Sequence, residues 1–153
     1  MRIALGCDHC GFGLKQVLIK LVSEAGYGYE DAGCYDTSPA DYPDFAQRVA
    51  EMVVAGKADR GILICSTGMG MSIAANKVKG IRAALCHDIF TARLARQHND
   101  ANVLCLGANV VGQGLAEEIV KAFLATEFEG GRHAHRLGKV KVMESKGKED
   151  NKD

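Results

Sequence analysis

The sequence predicts a single α/β domain: a doubly wound, five-stranded parallel sheet with helices on both faces. Three observations lead to this prediction. The chain has 153 residues, a length that favours one domain with a substantial core. Apolar runs that resemble buried strands alternate with segments of helical periodicity. These runs are almost continuously apolar, which is typical of parallel strands covered on both faces.

The strands are predicted from short apolar runs bounded by turn residues. They cover residues 3–7, 61–65, 81–86 and 102–107, with a weaker strand near 29–33. Apolar stripes at helical spacing predict long helices over residues 14–25, 45–53 and 115–123, and short helices are expected after the loop 65–70 and after Asp88. This alternation of strand and helix implies an open, Rossmann-like sheet.

The C-terminal part of the chain departs from this pattern. Helical periodicity weakens after Gly130 and Gly131, and the stretch 144–153 is dominated by charged and polar residues. Such a composition cannot bury enough apolar surface to fold. We therefore expect a domain over residues 1–143, followed by a disordered tail over residues 144–153.

The composition excludes some classes of function. Lysine and arginine together number 19, equal to the 19 aspartates and glutamates, which argues against a nucleic-acid or membrane-surface binder. No apolar run approaches the roughly 20 residues needed to cross a bilayer. The first residues also lack the pattern of a secretory signal. Because the six cysteines show no disulfide framework, we expect a reduced, cytoplasmic protein.

Two of the cysteines, Cys7 and Cys10, form a CxxC motif. This motif occurs in redox pairs and in halves of zinc sites. A four-ligand zinc site would need two more ligands at suitable spacing, and the sequence has no second CxxC. The alternative is that Cys7 ends a strand and Cys10 follows a turn. We expect no metal, and a CxxC redox protein remains a competing hypothesis.

A candidate site is predicted where the first and third strands end. In an open parallel sheet, ligands bind beyond the carboxyl ends of the strands. The first strand delivers Asp8 and His9 to that edge, and the third delivers Cys65, Ser66 and Thr67. A carboxylate, an imidazole and a thiol would thus meet there. For Asp8 and His9 the structural alternative is a turn and a helix N-cap.

The loop that follows the third strand contains Gly68 and Gly70. Glycines let the backbone approach a ligand, and amides at a helix start favour an anion. A dinucleotide fingerprint would need a third small residue at Ile73, so nucleotide binding is only partly supported. The thiol before the loop is either inert core or, beside such amides, a thiol that ionises more readily than usual. Cys86 and Cys105 lack such a loop and are interpreted as packing.

Basic residues cluster further along the chain. Arg96 and His98 lie in the last turn of a predicted helix, where cations suit the helix dipole, and Asn99 can cap that helix. Arg132 and Arg136 are four residues apart, so a helix starting there would place both on one face. Two guanidinium groups on one face can bind a phosphate, or they form a solvated surface.

Taken together and in this order, several segments resemble the ribose-5-phosphate isomerase B family and its galactose-6-phosphate isomerase relatives. The segments are GCDHCGF (6–12), DYPDFA (41–46), GILICSTGMGMSIAANKVKGIRAA (61–84), RQHNDANVLCLGA (96–108) and EGGRHAHR (129–136). The resemblance extends to about residue 143. It implies a cofactor-free aldose–ketose isomerase of the pentose phosphate pathway, which interconverts ribose 5-phosphate and ribulose 5-phosphate through an enediolate.

The resemblance also implies roles for individual residues. Cys65 would move a proton between C1 and C2 of the open-chain sugar, and Thr67 would assist near the two oxygens. His98 would open the furanose ring by proton transfer. The enediolate oxygen would be stabilised by the amides of Ser66, Thr67, Gly68, Met69 and Gly70. Sugar hydroxyls and phosphate would be bound by Asp8, His9, Tyr42, Asn99, Arg132 and Arg136.

One residue departs from the family pattern. Asn109 stands where some members have arginine, which removes one possible phosphate contact. The chain keeps Cys65, His98 and the two later arginines together, which favours ribose 5-phosphate over galactose 6-phosphate. Allose 6-phosphate remains an alternative substrate. A non-catalytic module that binds a nucleotide or phosphometabolite remains an alternative function.

The position of His98 predicts an oligomer. Helices in such a sheet run antiparallel to the strands, so a helix from about Asp88 to His98 begins at the edge that carries Cys65 and ends at the opposite edge. His98 can serve the reaction only if a second copy of the chain brings its helix end across. We therefore expect a homodimer with shared active sites, with a tetramer as the alternative.

Overall fold

Five parallel strands form one sheet, which confirms the predicted fold class. In the computed structural model, which describes residues 1–147, the strands are β1 (Arg2–Cys7), β2 (Gly28–Asp31), β3 (Arg60–Cys65), β4 (Ala83–Leu85) and β5 (Val103–Gly107). Their order across the sheet is β2-β1-β3-β5-β4. The strand predicted over 81–86 is shorter than expected, and the weak strand near 29–33 is displaced to Gly28–Asp31.

The helices cover both faces of this sheet. The described residues form α1 (Phe12–Glu24), α2 (Tyr42–Val54), α3 (Met69–Ala75), α4 (Ile89–Gln97), α5 (Gln113–Ala125) and α6 (Arg132–Lys146), with a 3-10 turn at His9–Gly11. Successive strand residues point to opposite faces. Ile62 and Ile64 therefore join the core under α1, α4 and α5, whereas Leu63 and Cys65 join the core under α2 and α3. No described helix has the length and apolar character needed to span a bilayer.

The chain reverses its winding direction between β1 and β3. α1 leads from β1 to β2 across one face, and α2 returns across the other face to β3, which lies on the far side of β1. Such a reversal opens a crevice beyond the carboxyl ends of the two strands. Cys7 and Cys65 end these strands, so the residues after them meet at the crevice.

The C-terminal segment differs from the prediction. Helix α6 continues to Lys146, so residues 144–146 are helical and do not belong to a disordered tail. Within α6 only His133 is buried, and the apolar residues Val140, Val142 and Met143 are exposed, so the helix is not predicted from a stripe that packs on the core. The rest of the expected tail, residues 148–153, lies outside the described residues.

The cysteines are all free thiols, and the two of the CxxC motif lie in different environments. Cys7 is buried with its Sγ 3.6 Å from Sγ of Cys34, and burial raises the pKa of Cys7 to about 12. Cys10 is exposed. This separation disfavours a CxxC redox pair. Cys86 and Cys105 are buried, and desolvation raises the pKa of both thiols, as expected for packing residues.

Candidate active site

Asp8 follows β1 and caps the 3-10 turn. Its Oδ1 accepts hydrogen bonds from the amides of Cys10 (2.9 Å) and Gly11 (3.2 Å), so the N-cap interpretation is correct for this residue. The carboxylate is fixed and largely buried, with 7% of the residue exposed. Among the described residues, no donor reaches its Oδ2, and a fixed carboxylate with one free oxygen can accept a sugar hydroxyl.

His9 is oriented by the loop that precedes α2. Its Nδ1 accepts a hydrogen bond from the amide of Ala40 at 3.2 Å. A neutral imidazole that accepts through Nδ1 carries its proton on Nε2. The half-buried ring can therefore donate from Nε2 to an oxygen of a ligand at this edge.

Tyr42 opens α2 and lies against the start of α3. A Cβ built on Gly70 would come within 2.8 Å of the Tyr42 ring, so the close approach requires glycine at position 70. The tyrosine is 40% exposed and presents its hydroxyl group at the same edge of the sheet as Asp8.

Cys65 ends β3 with its thiol held by the loop that follows. The residue is 5% exposed, and the amide of Gly68 donates a hydrogen bond to Sγ at 3.2 Å. This amide is a fixed donor to sulfur, and hydrogen bonds to a charged acceptor are stronger than those to a neutral one. Loop and thiol thus form one unit that can hold a negative charge.

Of the five amides from Ser66 to Gly70, two donate to side chains of the loop and three do not. The amide of Gly68 is used by the thiol, and the amide of Met69 donates to Oγ1 of Thr67 at 3.3 Å. In the described part of the chain, no acceptor partners the amides of Ser66, Thr67 and Gly70. These three, rather than all five predicted amides, are free to stabilise an oxygen anion beside the thiol.

Gly68 is expected to tolerate no side chain. Its φ is +78°, and an added Cβ would lie 2.5 Å from Cδ1 of Leu85 and 2.9 Å from the carbonyl carbon of Leu106. We expect Gly68→Ala to lower the free energy of unfolding by about 1–3 kcal/mol from the backbone alone. It should also lower kcat, because the amide that donates to the thiol would move. Chemical denaturation and steady-state kinetics measure the two effects.

Gly114→Ala is the matched control for this substitution. Gly114 lies in α5, and an added Cβ would meet nothing within 4 Å. The variant should be unchanged or more stable by up to about 1 kcal/mol, since alanine is the better helix former. Equal behaviour of the two variants would contradict the assigned role of Gly68.

Asn109 binds the loop instead of facing a ligand on its own. Its Nδ2 donates to Oγ of Ser66 at 2.8 Å, and its backbone amide donates to the Ser66 carbonyl at 3.0 Å. Asn109 thus binds the loop that follows β3 through both its side chain and its backbone. Sequence reasoning missed the pair, because the two residues are 43 positions apart.

The other predicted residues lie at the opposite edge of the sheet. α4 begins after β4 ends and finishes before β5 begins, so its C-cap residue His98 lies at the edge where the strands start. The six residues of β3 separate the two edges by about 20 Å. A cleft of about 540 Å³ lies at this second edge, lined in part by Arg82, Arg96 and Asp100.

The structure thus divides the predicted site into two groups. We call the first the thiol half-site; it comprises Asp8, His9, Tyr42 and residues 65–70. We call the second the arginine half-site; it comprises His98, Asn99, Arg132 and Arg136. Arg132 and Arg136 are exposed in the first turns of α6, as expected if a helix begins there. One chain does not join the two half-sites, in agreement with the geometry expected of α4.

His133 joins the arginine half-site and was not predicted. Its ring stacks on His98, with centroids 4.1 Å apart and planes 11° from parallel. Its buried Nε2 lies 3.4 Å from Oε2 of Glu129 but forms no hydrogen bond with a described residue. Desolvation, together with His98, Arg132 and Arg136, lowers the pKa of His133, so these surroundings disfavour a charged ring beside His98.

This lowered pKa predicts a pH-dependent stability. Below the ordinary imidazole pKa of about 6.5, the unfolded chain binds a proton that the folded His133 resists. Stability therefore falls as the pH drops through this range. The groups that face the ring are His98, Glu129, Arg132 and Arg136, of which only Glu129 favours protonation.

His133→Phe tests this expectation, because phenylalanine retains a ring against His98 and cannot titrate. Between pH 7.5 and 5.5, the melting temperature of the unsubstituted protein should fall by more than that of the variant. Parallel melting curves across this range would contradict a depressed imidazole pKa.

Two sets of side chains are close enough to be compared with metal sites. Ligand atoms lie within 4.8 Å of one another in the set Asp8, His9 and Cys10 and in the set His98, Glu129 and His133. In the second set, nearly parallel rings direct their in-plane lone pairs along separate lines rather than at one point. In the first, Oδ1 of Asp8 and Nδ1 of His9 already accept amide hydrogen bonds. Both sets are better suited to hydrogen bonding and proton transfer.

The chain is similar to proteins of one family over most of its length. Residues 3–140 match the family model Ribose/Galactose Isomerase. Ribose-5-phosphate isomerase B of Escherichia coli (strain K12) is 48% identical over 145 residues, covering 95% of this chain and 97% of the relative. The solved Clostridium thermocellum ribose-5-phosphate isomerase B has 51% identity and a TM-score of 0.94, with 95% and 99% of the two chains covered. The Mycoplasma genitalium ribose-5-phosphate isomerase B with bound ribulose-5-phosphate has 44% identity and a TM-score of 0.90, with 94% and 96% covered.

Proposed function

The chain belongs to the ribose/galactose isomerase family and is a sugar-phosphate isomerase; from this premise we propose that it interconverts ribose 5-phosphate and ribulose 5-phosphate. The observation that carries the proposal is the Cys65 thiol, which accepts a hydrogen bond from Gly68 beside three loop amides that have no acceptor among residues 1–147. This arrangement suits a reaction that removes a proton next to a carbonyl group and stores charge on oxygen.

The reaction begins with opening of the furanose ring. His98 of the partner subunit gives a proton to O4 as the C1–O4 bond breaks, and the O1 hydroxyl gives its proton to a solvent water as the C1 carbonyl forms. Asn99 of the partner subunit binds a sugar hydroxyl during this step. His98 is suited to the task because it sits at a half-exposed helix end and is braced by His133.

Proton transfer between the two carbons follows. The Cys65 thiolate removes the proton from C2, the C2–H electrons form a C1–C2 double bond, and the carbonyl electrons move to O1. The free amides of Ser66, Thr67 and Gly70 stabilise this enediolate, and losing one such donor typically costs about 10²–10³ in rate. The Thr67 hydroxyl assists transfer of a proton between O1 and O2, and the thiol returns its proton to C1.

Binding contacts hold the substrate between the half-sites. Arg132 and Arg136 of the partner subunit bind the phosphate, because guanidinium groups match phosphate oxygens. Asp8 accepts a sugar hydroxyl through Oδ2, and His9 donates through Nε2. The Tyr42 hydroxyl, whose ring lies next to Gly70, donates a hydrogen bond to a sugar oxygen.

These assignments require a homodimer. The two half-sites lie at opposite edges of one sheet, so each complete site takes one half-site from each chain. Apolar side chains at the thiol edge offer a surface for the second copy. They are Met69, Ile73 and Phe90, with 56%, 64% and 65% of each residue exposed. Free thiols throughout the chain suit a reducing compartment, and we place the reaction in the cytoplasm.

The direct test is an assay without added cofactor or metal. Purified protein with ribose 5-phosphate should form ribulose 5-phosphate, and galactose 6-phosphate and allose 6-phosphate are compared at equal concentration. Pentose turnover that exceeds hexose turnover supports the proposal. Preferential turnover of a hexose phosphate would support an isomerase activity but contradict ribose 5-phosphate as the preferred substrate.

A further inference from the structure

The loop between α4 and β5, which carries His98 and Asn99, contains a strained residue at its centre. Asp100 has φ +45°, and it is the only non-glycine residue with a positive φ in the described part of the chain. Side chains disfavour this conformation, although aspartate tolerates it better than most. The neighbouring structure must therefore hold Asp100 in place.

Two arginines bind the carboxylate of Asp100 from different elements. Nη2 of Arg82 lies 3.2 Å from Oδ2, and Nη1 of Arg96 lies 2.9 Å from Oδ1. Arg82 immediately precedes β4, and Arg96 lies in the last turn of α4. Each oxygen of the carboxylate thus joins the loop to a separate part of the fold.

The same arginines bind the backbone of the loop. Nε of Arg82 donates to the carbonyls of Asn99 and Asp100, each at 3.0 Å, and Nη1 of Arg96 donates to the carbonyl of Ala101 at 2.6 Å. Three successive carbonyls are therefore fixed by guanidinium groups. This density of contacts exceeds what is needed to end a helix, for which one capping interaction suffices.

The contacts of Arg96 and of the end of α4 extend to the segment that leads into α6. Arg96 is only 5% exposed, and its Nε donates to the carbonyl of Thr126 at 3.2 Å. The amide of Glu129 donates to the carbonyl of Gln97 at 3.1 Å. The end of α4 is thereby tied to the chain just before Arg132, and the two parts of the arginine half-site are held together.

From this geometry we propose that Asp100, clamped between Arg82 and Arg96, is a positioning residue that fixes His98 and Asn99 for ring opening. The inference rests on the proposed function, in which His98 of the partner subunit protonates O4. A displacement of about 1 Å in a reacting group can cost about 10²-fold in rate. A loose loop should therefore impair ring opening and spare the thiol half-site of the same chain.

The two pentose phosphates allow ring opening to be separated from proton transfer. Ribose 5-phosphate is closed through O4 and must be opened. Ribulose 5-phosphate cannot close through O5, because O5 carries the phosphate. Exchange of its C1 hydrogen with solvent needs only the Cys65 step and does not involve a ring.

Asp100→Asn and Asp100→Gly are the variants for this test. Asparagine keeps one acceptor and tolerates positive φ, and glycine removes the carboxylate without backbone strain. We expect kcat for ribose 5-phosphate to fall about 10- to 100-fold, and C1 hydrogen exchange of ribulose 5-phosphate in D₂O, followed by NMR, to change by less than about threefold. Glu30→Gln, which alters an exposed ion pair with Arg2 (2.6 Å), should change neither rate.

Three outcomes would overturn the inference. Equal loss of both rates in both variants would assign Asp100 a merely structural role. Unchanged rates in both variants would show that the clamp does not matter for catalysis. If the unsubstituted protein neither converts ribose 5-phosphate nor exchanges the C1 hydrogen, the proposed function fails first and the inference falls with it.

Discussion

Cys65→Ala is expected to lower kcat for ribose 5-phosphate by about 10³-fold, because it removes the group proposed to carry the proton between C1 and C2. The same variant should lose C1 hydrogen exchange of ribulose 5-phosphate. KM should change little, since the hydroxyl and phosphate contacts come from other residues. Coupled assay of the two pentose phosphates and NMR in D₂O provide the measurements.

Cys10→Ser is the matched control for Cys65→Ala. Cys10 also carries a thiol near the carboxyl end of β1, but it is exposed and accepts no hydrogen bond from the loop that follows β3. Its replacement should leave kcat within about threefold of the unsubstituted value, as surface substitutions usually have small effects. Full activity in Cys65→Ala would remove Cys65 from the proposed role. A larger loss of activity in Cys10→Ser would revive the CxxC hypothesis.

Mixing two inactive variants is expected to restore activity. Cys65→Ala chains lack the thiol, and His98→Ala chains lack the imidazole proposed to open the ring. In a hybrid dimer with shared sites, one site receives Cys65 and His98 intact, and the other site lacks both. Subunit exchange in equal amounts yields about one half hybrids, so about one quarter of all sites should be active.

The control for this experiment is each variant mixed with itself under the same exchange conditions. Neither should gain activity. If exchange is demonstrated with labelled chains and activity still does not return, both half-sites would have to act within one chain. That outcome would contradict the separation of about 20 Å imposed by the length of β3.

The thiol half-site could be predicted well from the sequence. Parallel strands bring their carboxyl ends to one edge, so Asp8 and Cys65 had to lie at a common edge once β1 and β3 were recognised. The prediction that His98 lies at the other edge followed from the same reasoning about α4. The family resemblance assigned roles to these residues, and the comparisons with known proteins confirm the family.

Several contacts could not be predicted because they join residues far apart in the chain. The Ser66–Asn109 hydrogen bond, the His98–His133 stack and the two arginines on Asp100 leave no periodic signal. The use of the Gly68 amide by the thiol depends on the left-handed φ of that glycine, and spacing alone does not reveal it. Helix α6 was missed over residues 144–146 because Glu144, Ser145 and Lys146 are all polar and carry no apolar periodicity.

The sequence by itself determined the alternation of strands and helices, the burial of the strands and the identity of the residues at each strand end. These features follow from local periodicity and turn chemistry, which are written in consecutive residues. The tertiary structure decided the strand order β2-β1-β3-β5-β4, the division into two half-sites and the clamp on Asp100. They depend on how distant segments pack against each other, and packing is settled by shape and hydrogen-bond geometry in three dimensions.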